Sequence, residues 1–277
     1  MNDAGSSTAL IDSSKAAALL EPLTDLVIRA GAAILAINRA AMQIQGKLDG
    51  SPVTEADLAA DAILAEGLAR LAPEVPALSE ECAESAEARD HESFFLVDPL
   101  DGTKEFVAGR DEFTVNLALV SDGTPLLGII AAPALGIVWR GLVGRGAERL
   151  SIRQQSGWQP IHTRRSPPPG EPWVVAVSRS HADSRTEAFI AARPGAIRAT
   201  LGSALKFGRV AEGEADIYPR LAPTSEWDVA AGHALVSAAD GRITDANGAP
   251  VRFGKPRTGF IVPEFIAWGD PTAARPR

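Results

Sequence analysis

The sequence of 277 residues contains little cysteine and no long uninterrupted hydrophobic run. Its single cysteine, Cys82, excludes an intramolecular disulfide and favours a reducing compartment. The longest uncharged stretch, residues 123–139, is broken by prolines and glycines, which is typical of two strands and a turn rather than a membrane span. Residues 1–10 lack the basic start and apolar run of a signal peptide. We therefore expect a soluble cytoplasmic protein without a transmembrane segment, with loose attachment to the inner face of the membrane left open.

Basic residues are also scarce relative to acidic ones, with 27 Lys and Arg against 35 Asp and Glu. The resulting net charge of −8 argues against a nucleic acid polymer as partner, because the two would repel each other. A small phosphorylated substrate is not excluded, since bound divalent cations invert the sign of an acidic site. The composition, 45% hydrophobic and 22% charged, is that of a globular protein large enough to fold without disulfides or a structural metal.

Hydrophobic periodicity and turn residues predict an α/β (α+β) protein in two parts. In the first part, helices over residues 13–45 and 54–71 precede an antiparallel sheet, and one strand, residues 113–120, alternates apolar and polar positions. A proline-rich stretch follows, and we predict subdomains at 1–165 and 166–277. In the second part strands and helices alternate, ending in a hairpin over residues 243–253 turned by Asn247-Gly248.

The motif Asp98-Pro99-Leu100-Asp101-Gly102-Thr103 follows a short apolar run that we interpret as a buried strand. A strand that ends in two carboxylates and a Gly-Thr turn gathers acids and backbone N–H groups at one point. Divalent cations prefer carboxylate and carbonyl oxygens, and Gly102 permits a close approach of N–H groups to phosphate. An ordinary Asp-Pro turn explains the motif equally well, so both interpretations stay open.

Three further acidic motifs each have an ordinary explanation when taken alone. Thr54-Glu55-Ala56-Asp57 reads as a capping box, Ser79-Glu80-Glu81 as a solvated loop, and Glu226-Trp227-Asp228 as a helix start. In this order, together with the Asp98 motif, they resemble the inositol monophosphatase superfamily of magnesium-dependent, lithium-sensitive phosphatases over nearly the whole chain. The resemblance implies a layered αβαβα sandwich of the inositol monophosphatase and fructose-1,6-bisphosphatase type, with the acidic motifs converging on a cleft.

Four other segments resemble one branch of that superfamily. The sugar and inositol branch usually continues Asp-Gly-Thr with a residue followed by Asn-Phe, whereas this sequence has Lys104-Glu105-Phe106. The remaining three segments are Val177-Ser178-Arg179-Ser180-His181, Gly202-Ser203-Ala204-Leu205-Lys206 and Tyr218-Pro219-Arg220. Together they resemble CysQ-type 3′(2′),5′-bisphosphate nucleotidases. The resemblance implies hydrolysis of the 3′-phosphate of adenosine 3′,5′-bisphosphate (PAP), a by-product of sulfur metabolism, to AMP and phosphate, and leaves conversion of PAPS to APS open.

The resemblance further implies a site that holds two or more Mg²⁺ ions and uses no protein nucleophile. Glu80, Asp98 and the Leu100 carbonyl would hold one ion, and Asp98, Asp101 and Asp228 would hold another. Asp57 and Thr103 would orient and deprotonate the attacking water. The implied substrate contacts are Glu80, Leu100, Asp101, Gly102, Thr103, His181, Gly202, Lys206 and Asp228.

The two subdomains would share this site. The part over 1–165 would carry most of the metal ligands, and the part over 166–277 the nucleotide contacts and the last ligand. Residue chemistry alone does not single out His181 or Lys206, because a loop histidine and a solvated helix lysine are common. Cys82 is predicted to be an inert thiol, and Asp61 is left outside the site. The sequence fits either a monomer or a homodimer.

Three alternatives are weighed against this prediction. An inositol or sugar monophosphatase would share the metal chemistry and differ only in substrate. A haloacid-dehalogenase-type phosphatase also has paired aspartates before Gly-Thr, but Asp98 and Asp101 are three residues apart rather than two, and Asp98 would have to be a nucleophile. A non-catalytic nucleotide sensor would not need every metal-ligand position to be filled.

Overall fold

The computed structural model describes residues 10–39, 42, 44–46, 52–85, 92–154, 157–180, 183–254 and 259–274. Within these ranges it contains six α-helices and sixteen strands. The helices are α1 (Ser13–Ala36), α2 (Glu55–Leu71), α3 (Thr103–Val107), α4 (Ser184–Ala191), α5 (Leu205–Ala211) and α6 (Glu226–Ala238).

A seven-stranded sheet occupies the first part of the chain. Its order is β3-β4-β5-β6-β7-β8-β9, with β3 parallel to β4 and every other neighbouring pair antiparallel. A separate two-stranded ribbon, β1-β2, precedes α2. The strands are β1 (Ile44–Gly46), β2 (Pro52–Thr54), β3 (Ala77–Ser79), β4 (Ser93–Asp101), β5 (Thr114–Ser121), β6 (Thr124–Ala132), β7 (Ile137–Leu142), β8 (Gly146–Ser151) and β9 (Gln159–Ile161).

A five-stranded sheet of order β11-β10-β12-β16-β14 occupies the second part. Strand β10 is parallel to both of its neighbours, whereas β16 is antiparallel to β12 and β14. A two-stranded ribbon, β13-β15, lies beside the start of α6. The strands are β10 (Val174–Ser178), β11 (Ile197–Leu201), β12 (Ile217–Arg220), β13 (Thr224–Ser225), β14 (Arg242–Thr244), β15 (Ile261–Val262) and β16 (Phe265–Trp268).

The elements stack in five layers, which confirms the predicted αβαβα sandwich. Helices α1 and α2 cover one face of the seven-stranded sheet, α5 and α6 lie between the two sheets, and α4 packs on β12 from outside. In the middle layer α6 crosses β6 closely: a Cβ built on Gly128 would lie 2.2 Å from the Ala231 carbonyl oxygen. None of the described helices combines the length and apolarity needed to cross a membrane.

Strand β5 shows how this layering changes a pattern read from sequence. The alternation over residues 113–120 predicts one polar face, yet all eight residues of β5 are buried. Leu117 packs in the core beside α1 and α2, and Ala118 packs in the core between the sheets. The polar residues Thr114 and Asn116 are therefore buried at one end of the strand, where they need hydrogen-bond partners.

Two predicted elements are corrected by the structure. Helix α1 ends at Ala36 rather than near Gln45, because Ile37 turns to extended backbone and residues 44–46 pair with β2 instead. The hairpin over residues 243–253 is wrong: β14 pairs with β16, and only an isolated bridge joins Thr244 to Pro250. The apolar strand β16 provides the pairing that β14 needs, so the turn at 247–248 does not bring together two strands of a ladder.

Candidate active site

A cleft of about 390 Å³ opens between the two halves of the protein, at the end of β4. The seven-stranded half contributes an acidic wall, and the five-stranded half contributes Lys206 and Arg220. Six of the predicted site residues on the acidic side line it, namely Glu80, Asp98, Leu100, Asp101, Gly102 and Thr103. The change of sheet falls between β9 and β10, and the predicted boundary at 165/166 remains a prediction.

Three of the carboxylates that line this cleft converge. Glu80 begins a 3₁₀ helix after β3, Asp98 lies near the end of β4, and Asp228 lies in the first turn of α6. One carboxylate oxygen from each lies within 4.8 Å of the others. An all-oxygen, anionic donor set of this size fits a hard divalent cation. Glu80, Asp98 and Asp228, which are far apart in sequence, thus form one acidic cluster that could bind a metal.

Burial and mutual repulsion make it unfavourable for the carboxylates of this site to be ionised together. Burial, followed by the nearby charges of Glu80, Asp101 and Asp228, raises the pKa of Asp98 well above its usual value. Burial and Asp228 raise the pKa of Asp101 to about 6, although Lys206 opposes that shift. Carboxylates crowded in this way resist ionising together unless a cation neutralises them. The donor set and its charge therefore both suit a metal ion.

The end of β4 presents these groups through an irregularity in the strand. The pairing with β5 shifts between Asp98 and Asp101, and the Leu100 N–H donates to Asp98 Oδ1 at 3.1 Å. On the neighbouring strand, Asn116 Nδ2 donates to Asp101 Oδ2 at 3.3 Å. Gly102 then turns the chain into α3 with a φ of 93°, a left-handed conformation that favours glycine. The chain can thereby turn sharply beside the acidic cluster.

Asp57 and Thr103 form a hydrogen-bonded pair beside the cluster. Thr103 Oγ1 lies 3.0 Å from Asp57 Oδ1 and 3.1 Å from the Leu100 carbonyl oxygen. The other oxygen of Asp57 accepts the Thr54 N–H at 2.7 Å and the Thr54 hydroxyl at 2.6 Å. Asp57 is thus a capping-box residue and a partner of Thr103 at once, so its ordinary and its functional interpretations are compatible.

The opposite wall of the cleft contains the buried Lys206. Its ammonium donates to the carbonyl oxygens of Leu201, at 3.4 Å, and Ser203. Burial lowers the pKa of Lys206 to about 8, while nearby Asp101 acts in the opposite direction. Gly202, also on this wall, donates its N–H to Glu112 Oε2 at 2.8 Å. A Cβ at Gly202 would lie 2.7 Å from the Glu112 carbonyl oxygen, which explains the glycine.

The structure therefore brings nearly all of the predicted site residues to one cleft, although their individual roles remain predictions. His181 lies outside the described residues. Asp61, which the sequence analysis does not place in the site, does not line the cleft. It accepts a hydrogen bond at 2.5 Å from Oγ of Ser79, the residue before Glu80. The Cys82 thiol is exposed and donates to Asp61 Oδ2 at 3.9 Å. Its pKa is raised, chiefly by partial burial and by nearby Asp61.

Sequence reasoning missed several residues of the cleft. Arg220 lines it, and its Nε is buried without a hydrogen-bond partner among the described residues. Glu105 is buried and accepts a hydrogen bond from Ser180 Oγ across the cleft. In the sequence both residues belong to segments that carry the family resemblance, but neither is a predicted site residue. The alternation of β5 places Thr114 and Asn116 on the same face of the strand. Both donate to Asp101 Oδ2, so this pattern could have predicted the partners of Asp101.

Comparison with known proteins agrees with this geometry. The inositol monophosphatase family model matches residues 16–272. The 3′(2′),5′-bisphosphate nucleotidase CysQ of Escherichia coli strain K12 is 40% identical over 251 residues, covering 89% of this chain and 98% of that protein. The protein of the same name from Haemophilus influenzae is 34% identical over 232 residues, covering 83% and 84% of the two chains.

Solved structures give the same result. CysQ from Bacteroides thetaiotaomicron, described as a bacterial member of the inositol monophosphatase family, superposes with a TM-score of 0.73 at 30% identity, covering 91% of this chain and 97% of the other. An inositol monophosphatase from Anabaena superposes with a TM-score of 0.71 at 25% identity, covering 94% and 93%. The resemblance predicted from the acidic motifs is confirmed, and the chain belongs to the inositol monophosphatase family.

Proposed function

We propose that this protein is a Mg²⁺-dependent 3′(2′),5′-bisphosphate nucleotidase that hydrolyses the 3′-phosphate of PAP to AMP and phosphate. The observation that carries the proposal is one cleft that joins a three-carboxylate cluster to a buried lysine. The acidic cluster suits cations that bind a phosphate, and the lysine suits a second anionic group of the same substrate. Relatives that are 40% identical over nearly their whole length are named for this activity.

The metal ligands follow from the acidic cluster. Glu80, Asp98 and Asp228 would hold the Mg²⁺ ions, together with Asp101 and the carbonyl of Leu100. Bound divalent cations would activate water and neutralise charge on the phosphate and the leaving oxygen. The carboxylates themselves bind and position these ions, and their crowding disfavours the same ionised arrangement without cations.

Asp57 and Thr103 would handle the proton of the attacking water. The Thr103 hydroxyl accepts a proton from water as it gives its own to Asp57 Oδ1, 3.0 Å away. Thr54 occupies the other oxygen of Asp57 with two hydrogen bonds and so orients the carboxylate toward Thr103. The backbone N–H groups of Gly102 and Thr103 would receive phosphate oxygens at the turn into α3.

Lys206 and Gly202 would contact the nucleotide on the opposite wall. The ammonium group of Lys206 is already held by two backbone carbonyls, so little of its conformational freedom remains to be lost on binding. An anionic group of the substrate would complete its third donor position. PAPS carries the same 3′-phosphate next to a different 5′ group, and we include its conversion to APS in the proposal.

A direct assay tests the assignment. Phosphate release from PAP and from inositol 1-phosphate is measured at equal enzyme concentration, with Mg²⁺ and with EDTA. We expect a higher kcat/KM for PAP, AMP as the product, and no turnover in EDTA. A higher kcat/KM for inositol 1-phosphate would instead favour the inositol phosphatase alternative. A covalent phosphate trapped on Asp98 would contradict the activated-water mechanism.

A further inference from the structure

An ion pair links the two halves of the protein behind the cleft. Glu112 lies between α3 and β5, and Arg179 follows β10. Arg179 Nε donates to Glu112 Oε2 at 3.0 Å and its Nη2 donates to Oε1 at 2.8 Å. The same Nη2 also donates to the Thr200 carbonyl oxygen at 3.2 Å. Two parallel hydrogen bonds of this kind fix orientation as well as distance.

The same carboxylate also holds the turn that carries the lysine. Gly202 N–H donates to Glu112 Oε2 at 2.8 Å, between the two carbonyls, of Leu201 and Ser203, that accept the Lys206 ammonium. Ser203 has a φ of 41°, which a side chain other than that of glycine adopts only where the surroundings enforce it. The position of Lys206 thus depends on a turn that Glu112 anchors from the other half of the protein.

Glu112 performs this task as an ionised group outside the cleft. It is not among the described residues that line the cleft. Burial favours its neutral form, but the hydrogen bonds from Arg179 and from the Gly202 N–H outweigh that effect and hold the pKa of Glu112 below its usual value. It therefore stays charged at neutral pH and acts on substrate only through the turn.

We propose that Glu112 is a positioning residue for nucleotide binding, which holds the turn at residues 201–203 and, through it, Lys206. This inference rests on the proposed function. Glu112 reaches none of the carboxylates of the acidic cluster, so its loss should leave the hydrolytic end of the cleft intact. Its effect should fall on substrates that extend to Lys206.

The test compares three variants on two substrates. Glu112→Ala removes the carboxylate, and Glu112→Gln keeps an acceptor for Gly202 without the charge. The matched control is Glu187→Ala. Glu187, in α4, forms an equivalent two-bond pair with Arg198 of β11 on the surface, at 2.8 and 2.6 Å. The substrates are PAP and p-nitrophenyl phosphate, which lacks the second phosphate group that the proposal assigns to Lys206.

We expect Glu112→Ala to lower kcat/KM for PAP about tenfold or more, mainly through KM, and to change p-nitrophenyl phosphate turnover less than about threefold. Glu112→Gln should recover part of the loss, and Glu187→Ala should match wild type. Parallel losses on both substrates, or no loss with PAP, would overturn the proposal. Glu112→Gln keeps the test decisive if the alanine variant fails to fold.

A substrate-free measurement separates this inference from the proposed function. Amide hydrogen exchange at Gly202 should be faster in Glu112→Ala than in wild type and unchanged in Glu187→Ala, because only the first variant removes its acceptor. If wild-type protein fails to hydrolyse PAP, the proposed function fails while the exchange rate still reports on the turn. Unchanged exchange at Gly202 in Glu112→Ala would refute the positioning role by itself.

Discussion

The two walls of the cleft are built in different ways. On the acidic wall, supporting hydrogen bonds come from residues close by in sequence or on the next strand: Thr54 holds Asp57, Asn116 holds Asp101, and Thr224 holds Asp228. On the opposite wall, Lys206 is held by a turn whose anchor, Glu112, lies 90 residues away from Gly202. Individual acids are thus oriented by neighbouring residues, whereas the turn that holds Lys206 is anchored by a contact between the two halves.

Groups on both walls affect the pKa of Asp101. Burial and Asp228 raise the pKa of Asp101, while Lys206 and Arg220, both on the opposite wall, act to lower it. Asp101 in turn acts to raise the pKa of Lys206. Substitutions on the acidic wall should therefore affect every substrate. At saturating Mg²⁺, which favours ionised Asp101 whether or not Lys206 is present, substitutions on the opposite wall should affect mainly the substrates that reach it.

The largest effect is expected for Asp101→Asn. The change preserves size and removes one charge from a predicted metal ligand, so turnover of both PAP and p-nitrophenyl phosphate should be abolished at ordinary Mg²⁺ concentrations. Phosphate release and a thermal unfolding curve measure activity and folding on the same preparation. Asp240→Asn, an exposed partner of His162, serves as the control and should behave as wild type. Retention of most of the wild-type kcat would make Asp101 a turn residue only.

A smaller but still general loss is expected for Thr103→Ala. Without the hydroxyl between water and Asp57, kcat should fall by about 10²–10⁴ on both substrates, with little change in KM. Steady-state kinetics at saturating Mg²⁺ give the two constants separately. Thr103→Ser restores the hydroxyl and should recover most of kcat. An unchanged kcat in the alanine variant would remove Thr103 from the mechanism.

The contrast between the walls also explains what the sequence could predict. The four acidic motifs are local patterns, and the family resemblance that they carry together implied both the fold and the acidic cluster. Glu112 belongs to no pattern that one chain segment contains, because its partners Arg179 and Gly202 are brought to it by tertiary folding. The end of α1 and the partner of β14 were wrong because strand pairing overrode local propensity: residues 44–46 pair with β2, and β14 pairs with the more distant β16.

A substrate-dependent loss is expected for Lys206→Ala. Losing a hydrogen bond to a charged group costs about 1.5–3 kcal/mol, which corresponds to a decrease of about 10- to 150-fold in kcat/KM for PAP. At saturating Mg²⁺, which favours ionised Asp101 even without Lys206, turnover of p-nitrophenyl phosphate should barely change. The measured quantity is the ratio of kcat/KM for the two substrates. An unchanged ratio would show that Lys206 does not contact PAP.

The smallest effect concerns the stability of the metal-free protein, which should depend on pH through Asp101 of the acidic wall. Asp101 has a folded-state pKa of about 6 against an unfolded value of 3.8, so the folded protein binds the extra proton between these values. Its contribution to the free energy of unfolding therefore falls as pH rises from about 4 to 6 and stays low above that. By pH 7.5 the cost amounts to about 1–3 kcal/mol.

Because other groups titrate in the same range, wild type is compared with Asp101→Asn in EDTA at pH 4.5 and pH 7.5. The variant lacks the titrating carboxylate, so its Tm should exceed that of wild type by several degrees more at pH 7.5 than at pH 4.5. Adding Mg²⁺ at pH 7.5 should raise the wild-type Tm, since cations bind the ionised cluster in the folded state alone. A difference in Tm that is independent of pH would show that the pKa of Asp101 is not raised in the folded protein.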